Sequence, residues 1–317
     1  MLKARENIMR VVFLVAALAS ILSVALICVF LFAQGLPAMT RIGVFDFLLG
    51  KTWKPLASEP AFGILPMILG SVYVTAGAII VGVPIGIFMA LFMARMCPAP
   101  LYRFLKPAVS LMAGVPSVIY GFFGMMVLVP MIFGMFGKRF DMMSGDTMLA
   151  ASVLLGIMIL PTVISIAETN LRAVPQELYE AAVALGASHE RAVFKVVLPA
   201  AKSGVMAAVV LGVGRAIGET MAVKMVAGNQ PLLRMPFDLL KGIRTMTTNI
   251  VIEMGYVEQG SLHNGALIAT GVVLFVFIMI INLLFSVLNK DKDKRAKHKC
   301  PIRTRTPPAA RAAQRGQ

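Results

Sequence analysis

Apolar residues along this chain run in blocks too long for a soluble core. Five intervals contain no Asp, Glu, Lys or Arg: 11–40, 60–94, 107–137, 147–167 and 259–289, of 30, 35, 31, 21 and 31 residues. A helix crosses the hydrocarbon of a bilayer with about 20 apolar residues, so each interval holds one crossing. A sixth apolar stretch, 203–227, is interrupted by Arg215, Glu219 and Lys224. The pattern predicts an all-α, polytopic membrane protein with six helices, near 11–33, 64–94, 108–134, 147–168, 203–227 and 264–288. Small residues punctuate these spans: Gly70, Gly77, Gly82, Pro84 and Gly86 in the second, Gly114, Pro116, Gly121 and Gly124 in the third, Gly212, Gly214 and Gly218 in the fifth. In lipid such residues let helix backbones approach closely. Tight packing and hinging of a gated path both fit them.

Composition agrees. The 317 residues are 58% hydrophobic and 14% charged, with a mean hydropathy of +0.84, whereas a soluble domain is about half apolar and about a quarter charged. That excludes a soluble enzyme and a disordered chain. Cys28, Cys97 and Cys300 lie far apart and form no CxxC or Cys/His cluster, which argues against a disulfide scaffold and a zinc site. The first apolar block follows Lys3, Arg5 and Arg10. It is longer than a signal-peptide core and reads as an uncleaved anchor.

Charge placement sets the orientation. The N-terminus, the 95–107 loop, the 169–202 segment and the tail hold twenty Lys and Arg, against eight in the remaining loops. The positive-inside rule therefore puts both termini in the cytoplasm. The tail, 290–317, carries ten basic and two acidic residues, much of the formal +15. It suits anionic lipid headgroups. It lacks the aromatic residues and recognisable fold of a nucleic-acid binder, and its Pro, Ala and Arg content predicts a disordered cytoplasmic tail.

Between the fourth and fifth spans lies a compact cytoplasmic element. Pro175 is placed to open a helix and Gly186 to close it. Leu178, Ala181, Ala182 and Leu185 share one face at i, i+3, i+4, i+7 spacing. Ser188 is placed to cap a second short helix from His189 to Val197, and Pro199 punctuates the start of span five. Glu180-Ala181-Ala182, three residues, Gly186, nine residues, then Val196-Val197-Leu198-Pro199 resembles the EAA loop of ABC-importer permeases, with Val196 for the usual Ile. The resemblance implies a MetI-like, type I importer fold in which Glu180, Ala181, Ala182, Gly186, Leu198 and Pro199 couple to a cytoplasmic ATPase.

The fifth span carries the sharpest chemistry. An ion inside a membrane costs at least ~2.5 kcal/mol on insertion scales and usually marks function. Arg215 is expected near mid-bilayer, with Glu219 one helical turn on, where the two would share a face and neutralise each other. The guanidinium fork suits phosphate or carboxylate. Glu219 would hold Arg215 in place, screen it so that an anion is not trapped, and accept from a protonated oxyanion. Thr220 follows, and Lys224 either snorkels to the outer interface or draws an anion inward.

Gly214 to Val223 resembles the GRAxGETMAV signature of PstC-type permeases of bacterial phosphate importers, with Ile217 at the variable position. Phe62 to Pro66, Gly70, Val74-Thr75, Ala113 to Gly121, Gly228-Asn229 and Leu262-His263 are similar to the same family, and the resemblance spans about residues 60–288. It implies half of a heterodimeric pore in the bacterial inner membrane. Its partners would be a PstA-type permease, a PstB-type ATPase dimer, an extracytoplasmic phosphate-binding protein docking on loops 35–60 and 228–263, and membrane lipid, with no nucleic acid. The alternative is an ABC permease for another oxyanion or small solute. No GxxxxGK[ST] motif occurs, so this chain is expected to bind no cofactor and no metal, and ATP with Mg is used by the ATPase. Three parts follow: 1–62 as anchor helix and outer loop, 63–289 as permease domain with the coupling loop at 175–199, and 290–317 as tail. Glu168 reads as an interfacial charge, His189 and His298 as solvated, and His263 as part of an outer loop.

Overall fold

The computed structural model describes residues 2–140 and 142–299, with side chains over 6–140 and 142–284. Helix α1 (Leu2–Ile42) is followed by α2 (Val44–Leu49) and a two-residue antiparallel pair, β1 (Trp53–Lys54) with β2 (Ala61–Phe62). Next come α3 (Leu65–Met96), α4 (Ala99–Gly114), α5 (Ser117–Phe140) and α6 (Met148–Arg172). The element between the fourth and fifth spans is α7 (Gln176–Ala184) and α8 (His189–Ala200). Then follow α9 (Lys202–Gly218), α10 (Met221–Val226), α11 (Met246–Glu253) and α12 (Leu262–Lys299). Among the described residues five helices are long and apolar enough to cross a membrane, or six if the bent pair α8 and α9 is one span.

Helix α6 is the axis of the bundle. Leu154, Leu155, Met158, Ile159, Val163, Ala167 and Leu171 are all buried along it. It packs most extensively on α3, and α9 lies against it as well. The α3 contact is backbone on backbone: a Cβ added at Gly82 would lie 2.6 Å from the Gly156 carbonyl oxygen. On the second side Gly212 of α9 admits the Val163 side chain. Helix α12 closes the bundle through Leu274, Phe277, Ile278 and Ile281 against Val209, Val213 and Ile217 of α9. Among the described residues helix α1 packs on the rest near its C-terminal end, where Ala38 meets Gly265 and the Phe32 and Phe275 rings meet edge-on at 6.1 Å. Along its first thirty residues Ile8, Phe13, Ile21 and Val29 are exposed, as a helix facing lipid or another subunit would be.

Several expectations need correction. The third span begins at Ser117, not near 108. Val115 and Pro116 are extended, with ψ of 127° and 141°, because the residue before proline is pushed out of the helical region. Residues 107–114 belong instead to the amphipathic α4. The first helix runs to Ile42 rather than ending near 33. The last runs to Lys299, ten residues into the expected disordered tail. The charged stretch 290–299 contains no Gly or Pro, and Pro301 is the first helix breaker after it; residues 300–317 lie outside the described residues.

The largest difference concerns 228–263, expected to be an outer loop. Its middle folds back as α11, and Ile243 and Thr245 to Asn249 are buried. Thr245 and Thr248 form a reciprocal capping box at its start, and the Met246 N–H donates to Ser71 Oγ of α3 at 3.0 Å. At eight residues the helix is too short to register as a crossing. Behind it Glu253 is nearly inaccessible and accepts from Trp53 Nε1 at 2.9 Å and Arg244 Nη1 at 2.8 Å. His263 Nε2 lies 2.7 Å from the same carboxylate, so His263, expected in an outer loop, is a part-buried partner at the start of α12. This network fastens the β1–β2 hairpin, α11 and the start of α12 together.

The α3–α6 contact has a direct test. Gly82→Leu drives carbon into the Gly156 backbone and should destabilise the protein by about 1–3 kcal/mol, the usual cost of overpacking. Gly134→Ala on α5, where an added Cβ meets nothing within 4 Å, should be neutral or stabilising by up to ~1 kcal/mol. Thermal unfolding of the detergent-purified protein reads both.

Candidate functional site

Span five is not one helix. The α9 helix ends at Gly218, Glu219 is extended at φ −71° and ψ 131°, and α10 restarts at Met221. At about 1.5 Å per residue the 17 residues of α9 reach about 26 Å, short of a ~30 Å hydrocarbon core. The chain therefore breaks inside the bundle, three residues after Arg215. Backbone groups freed at such a break need other partners. The Glu219 side chain supplies one by accepting from the Ala222 N–H at 3.2 Å, which caps α10. The Glu219 carbonyl takes another, from the Thr247 hydroxyl of α11 at 3.3 Å.

The expected Arg215–Glu219 ion pair does not form: among the described residues no such bridge lies within 4 Å. The helix break is the reason, because residues four apart share a face only on a continuous helix. Arg215 instead donates from Nη1 to Thr162 Oγ1 of α6 at 3.0 Å. None of its nitrogens is both buried and unpartnered, so the other N–H groups reach open space. An added Cβ at Gly214 or Gly218 meets nothing within 4 Å, and Leu211 and Met221 are exposed. One face of this broken helix is thus uncovered, with a half-buried guanidinium on it. Thr162 lies two residues past the midpoint of α6, which sets the charge at mid-height of the most buried span. Thr220 caps back to the Gly218 carbonyl at 3.3 Å. Lys224 is half-buried on α10 with no carboxylate within 4 Å among the described residues, and its carbonyl accepts from Asn229 Nδ2 at 2.6 Å.

The elbow formed by α7 and α8 follows the sequence closely. Pro175 is the N-cap residue of α7. Gly186, at φ +84°, ends that helix in a Schellman motif, with its N–H on Val183 O at 2.9 Å and the Ala187 N–H on Ala182 O at 3.1 Å. Ser188 caps α8 by accepting from the Arg191 N–H. His189 is less free than expected, since Tyr179 Oη lies 2.7 Å from its Nδ1 and joins the two helices. Helix α8 contains a π turn over Val193–Val197, then bends 70° into α9 just after Pro199. No residue of α7 is buried; Leu185 is 89% exposed. The apolar stripe that includes Glu180's neighbours Ala181 and Ala182 is therefore open to a partner.

Sequence reasoning missed how this elbow is rooted. Glu168, expected at an interface, is 1% exposed. It pairs with Lys106 of α4 and with Arg172 Nε at 2.7 Å, and accepts from Tyr102 Oη at 2.8 Å. Arg172 stacks over the Tyr102 ring at 4.1 Å and donates to Met93 O. Arg95 donates to the carbonyls of Leu171 and Val174. The hydrogen bond to Glu168, with burial, raises the Tyr102 hydroxyl above its ordinary pKa, so it stays a donor. The ends of α3, α4 and α6 are thereby locked immediately before Pro175. Among the described residues no three His, Cys, Asp or Glu side chains converge in the manner of a metal site.

Residues 82–294 match the family described as binding-protein-dependent transport system inner membrane component. The chain is 39% identical over 284 residues to the probable ABC transporter permease protein YqgH of Bacillus subtilis, covering 87% of this chain and 90% of that one. It is 36% identical to the phosphate transport system permease protein PstC of Mesorhizobium japonicum, covering 80% and 81%. An inward-facing crystal structure of the MetNI methionine ABC transporter superposes with a TM-score of 0.57 at 19% identity, over 72% of this chain and 95% of that one, which shows a shared fold. A broken charged span, an exposed elbow and these matches lead to one conclusion: the chain belongs to the family of binding-protein-dependent transport system inner membrane components, as a multi-pass permease subunit that works with an ATPase and a substrate-binding protein.

Proposed function

We propose that this chain is the PstC-type half of an ATP-driven phosphate importer. Its pore partner is a PstA-type permease, and a PstB-type ATPase dimer consumes ATP and Mg beneath it. The observation that carries the reading is Arg215, a cation at mid-span with no carboxylate within 4 Å among the described residues and with donors that reach open space. A bidentate guanidinium contact is the strong form of oxyanion binding. The similarity to PstC of Mesorhizobium japonicum supports phosphate as that oxyanion.

The remaining parts take their roles from position. Four crossings, α1, α3, α5 and α6, precede the elbow, so it shares a side with the N-terminus. Two returns then bring α12 to that side, and the basic residues there favour the cytoplasm. A phosphate-binding protein docks on the opposite side, over the α2 and hairpin region and the 231–240 tip, where Leu232, Met235 and Phe237 are exposed. ATP-driven closure pushes on α7. The locked ends of α3, α4 and α6 receive the push, and the 70° bend passes it to α9.

In proteoliposomes holding the complete complex, Arg215→Gln should cut labelled-phosphate uptake at least about tenfold, the loss expected for hydrogen bonds to a charged group. Wild-type uptake in that variant, or stronger inhibition of transport by sulfate than by unlabelled phosphate, would redirect the substrate to another solute. Glu219→Gln keeps an acceptor for the Ala222 N–H and should transport better than Glu219→Ala, which uncaps α10. On the elbow, Ala182→Arg should release the ATPase during co-purification while leaving the permease folded, because α7 buries nothing in this chain.

A further inference from the structure

We propose that Thr162 is a second binding residue of the anion site, positioning Arg215 and supplying a donor of its own. This rests on the phosphate reading above and deepens it. Its Oγ1 accepts from Arg215 Nη1 at 3.0 Å, so its O–H hydrogen is not consumed by that contact. A hydroxyl within a helix ordinarily spends this hydrogen on the carbonyl four residues back. Ser71, Ser110, Thr169 and Thr270 do so here, at 2.8–3.0 Å. Thr162 makes no such bond to Met158 and none elsewhere among the described residues. Its hydroxyl is held in place through its acceptor side and has its donor side unspent.

The surroundings favour use of that donor. Thr162 and Arg215 are both half-buried, whereas Val163, the next residue on α6, is fully packed against α9. Below Thr162 on the same face, Ser165 is half-buried and Thr169 exposed, so this face opens progressively toward the cytoplasmic end of α6. An oxyanion beside the guanidinium would thus meet a neutral O–H donor on a different helix. Two helices would then grip the anion, and moving α6 relative to α9 would loosen it. A neutral second donor adds directional hydrogen bonding without further positive charge, which would trap the cargo.

The test compares Thr162→Val, Thr162→Ala and Thr162→Ser with Arg215→Gln in the reconstituted complex, each checked for co-purification with its partners. Valine keeps the shape and loses the hydroxyl; serine keeps the hydroxyl and loses the methyl. The Val and Ala variants should each lower phosphate uptake about tenfold and serine should restore most of it. Adding Thr162→Val to Arg215→Gln should cost little more than Arg215→Gln alone, since the two groups act as a unit. Wild-type uptake in the Val variant, or better uptake with valine than with serine, would make Thr162 a packing residue and overturn the proposal. If Arg215→Gln is impaired while Thr162→Val is not, only this proposal falls. If both transport normally, the anion site itself is wrong.

Discussion

A guanidinium halfway along a membrane bundle must be compensated, and the way Arg215 is compensated governs the reading of this molecule. A carboxylate would neutralise the charge and leave little to attract a passing anion. Here the nearest partner is a neutral hydroxyl, Thr162, on the most buried helix. The charge is oriented but not cancelled. Its helix ends three residues later, and the acidic residue that follows is turned to the Ala222 N–H instead. The broken helix is thus what separates the two opposite charges. A continuous one would bring them together.

The same hydroxyl lies on the element that joins Arg215 to the elbow. Helix α6 carries Thr162 at its middle and Glu168 near its C-terminal end, where Lys106, Tyr102 and Arg172 surround the carboxylate. Pro175 and α7 follow at once. A buried ion pair of this kind is weak evidence for stability; its value here is geometric, since it ties α4 to α6 beside the elbow. Close packing of Gly82 on Gly156 makes α3 and α6 one body. In the proposed mechanism, movement of α7 reaches Arg215 through these packed parts, with the bend after Pro199 as the place where α9 turns against them.

Much of this was legible in the residues. Long charge-free blocks located the spans, because lipid leaves few alternatives to an apolar helix. The elbow was readable to the single residue: Pro175, Gly186 and Ser188 act through local backbone rules that need no tertiary context. What escaped were features set by packing. Thr162 is one hydroxyl in an apolar block and gives no signal until α9 is placed beside it. Helix α11 is too short for a crossing, and only its contact with Ser71 reveals that it turns inward. Glu168 and His263 looked like loop or interface groups because Lys106 and Tyr102 lie 62 and 66 residues from the first, and Glu253 ten from the second. The Arg215–Glu219 pair failed because periodicity assumes an unbroken helix, and Gly218 ends it.

The most direct measurement asks whether the side chain at 215 faces the path of the cargo. In the reconstituted complex, with Cys28, Cys97 and Cys300 replaced, Arg215→Cys should react with a small water-soluble thiosulfonate, and Thr162→Cys likewise. In the second of these, where Arg215 is intact, phosphate should slow the reaction. If neither position can be modified from water in any nucleotide state, or only lipid-soluble reagents reach them, then Arg215 faces lipid or packed protein and does not contact a translocated anion.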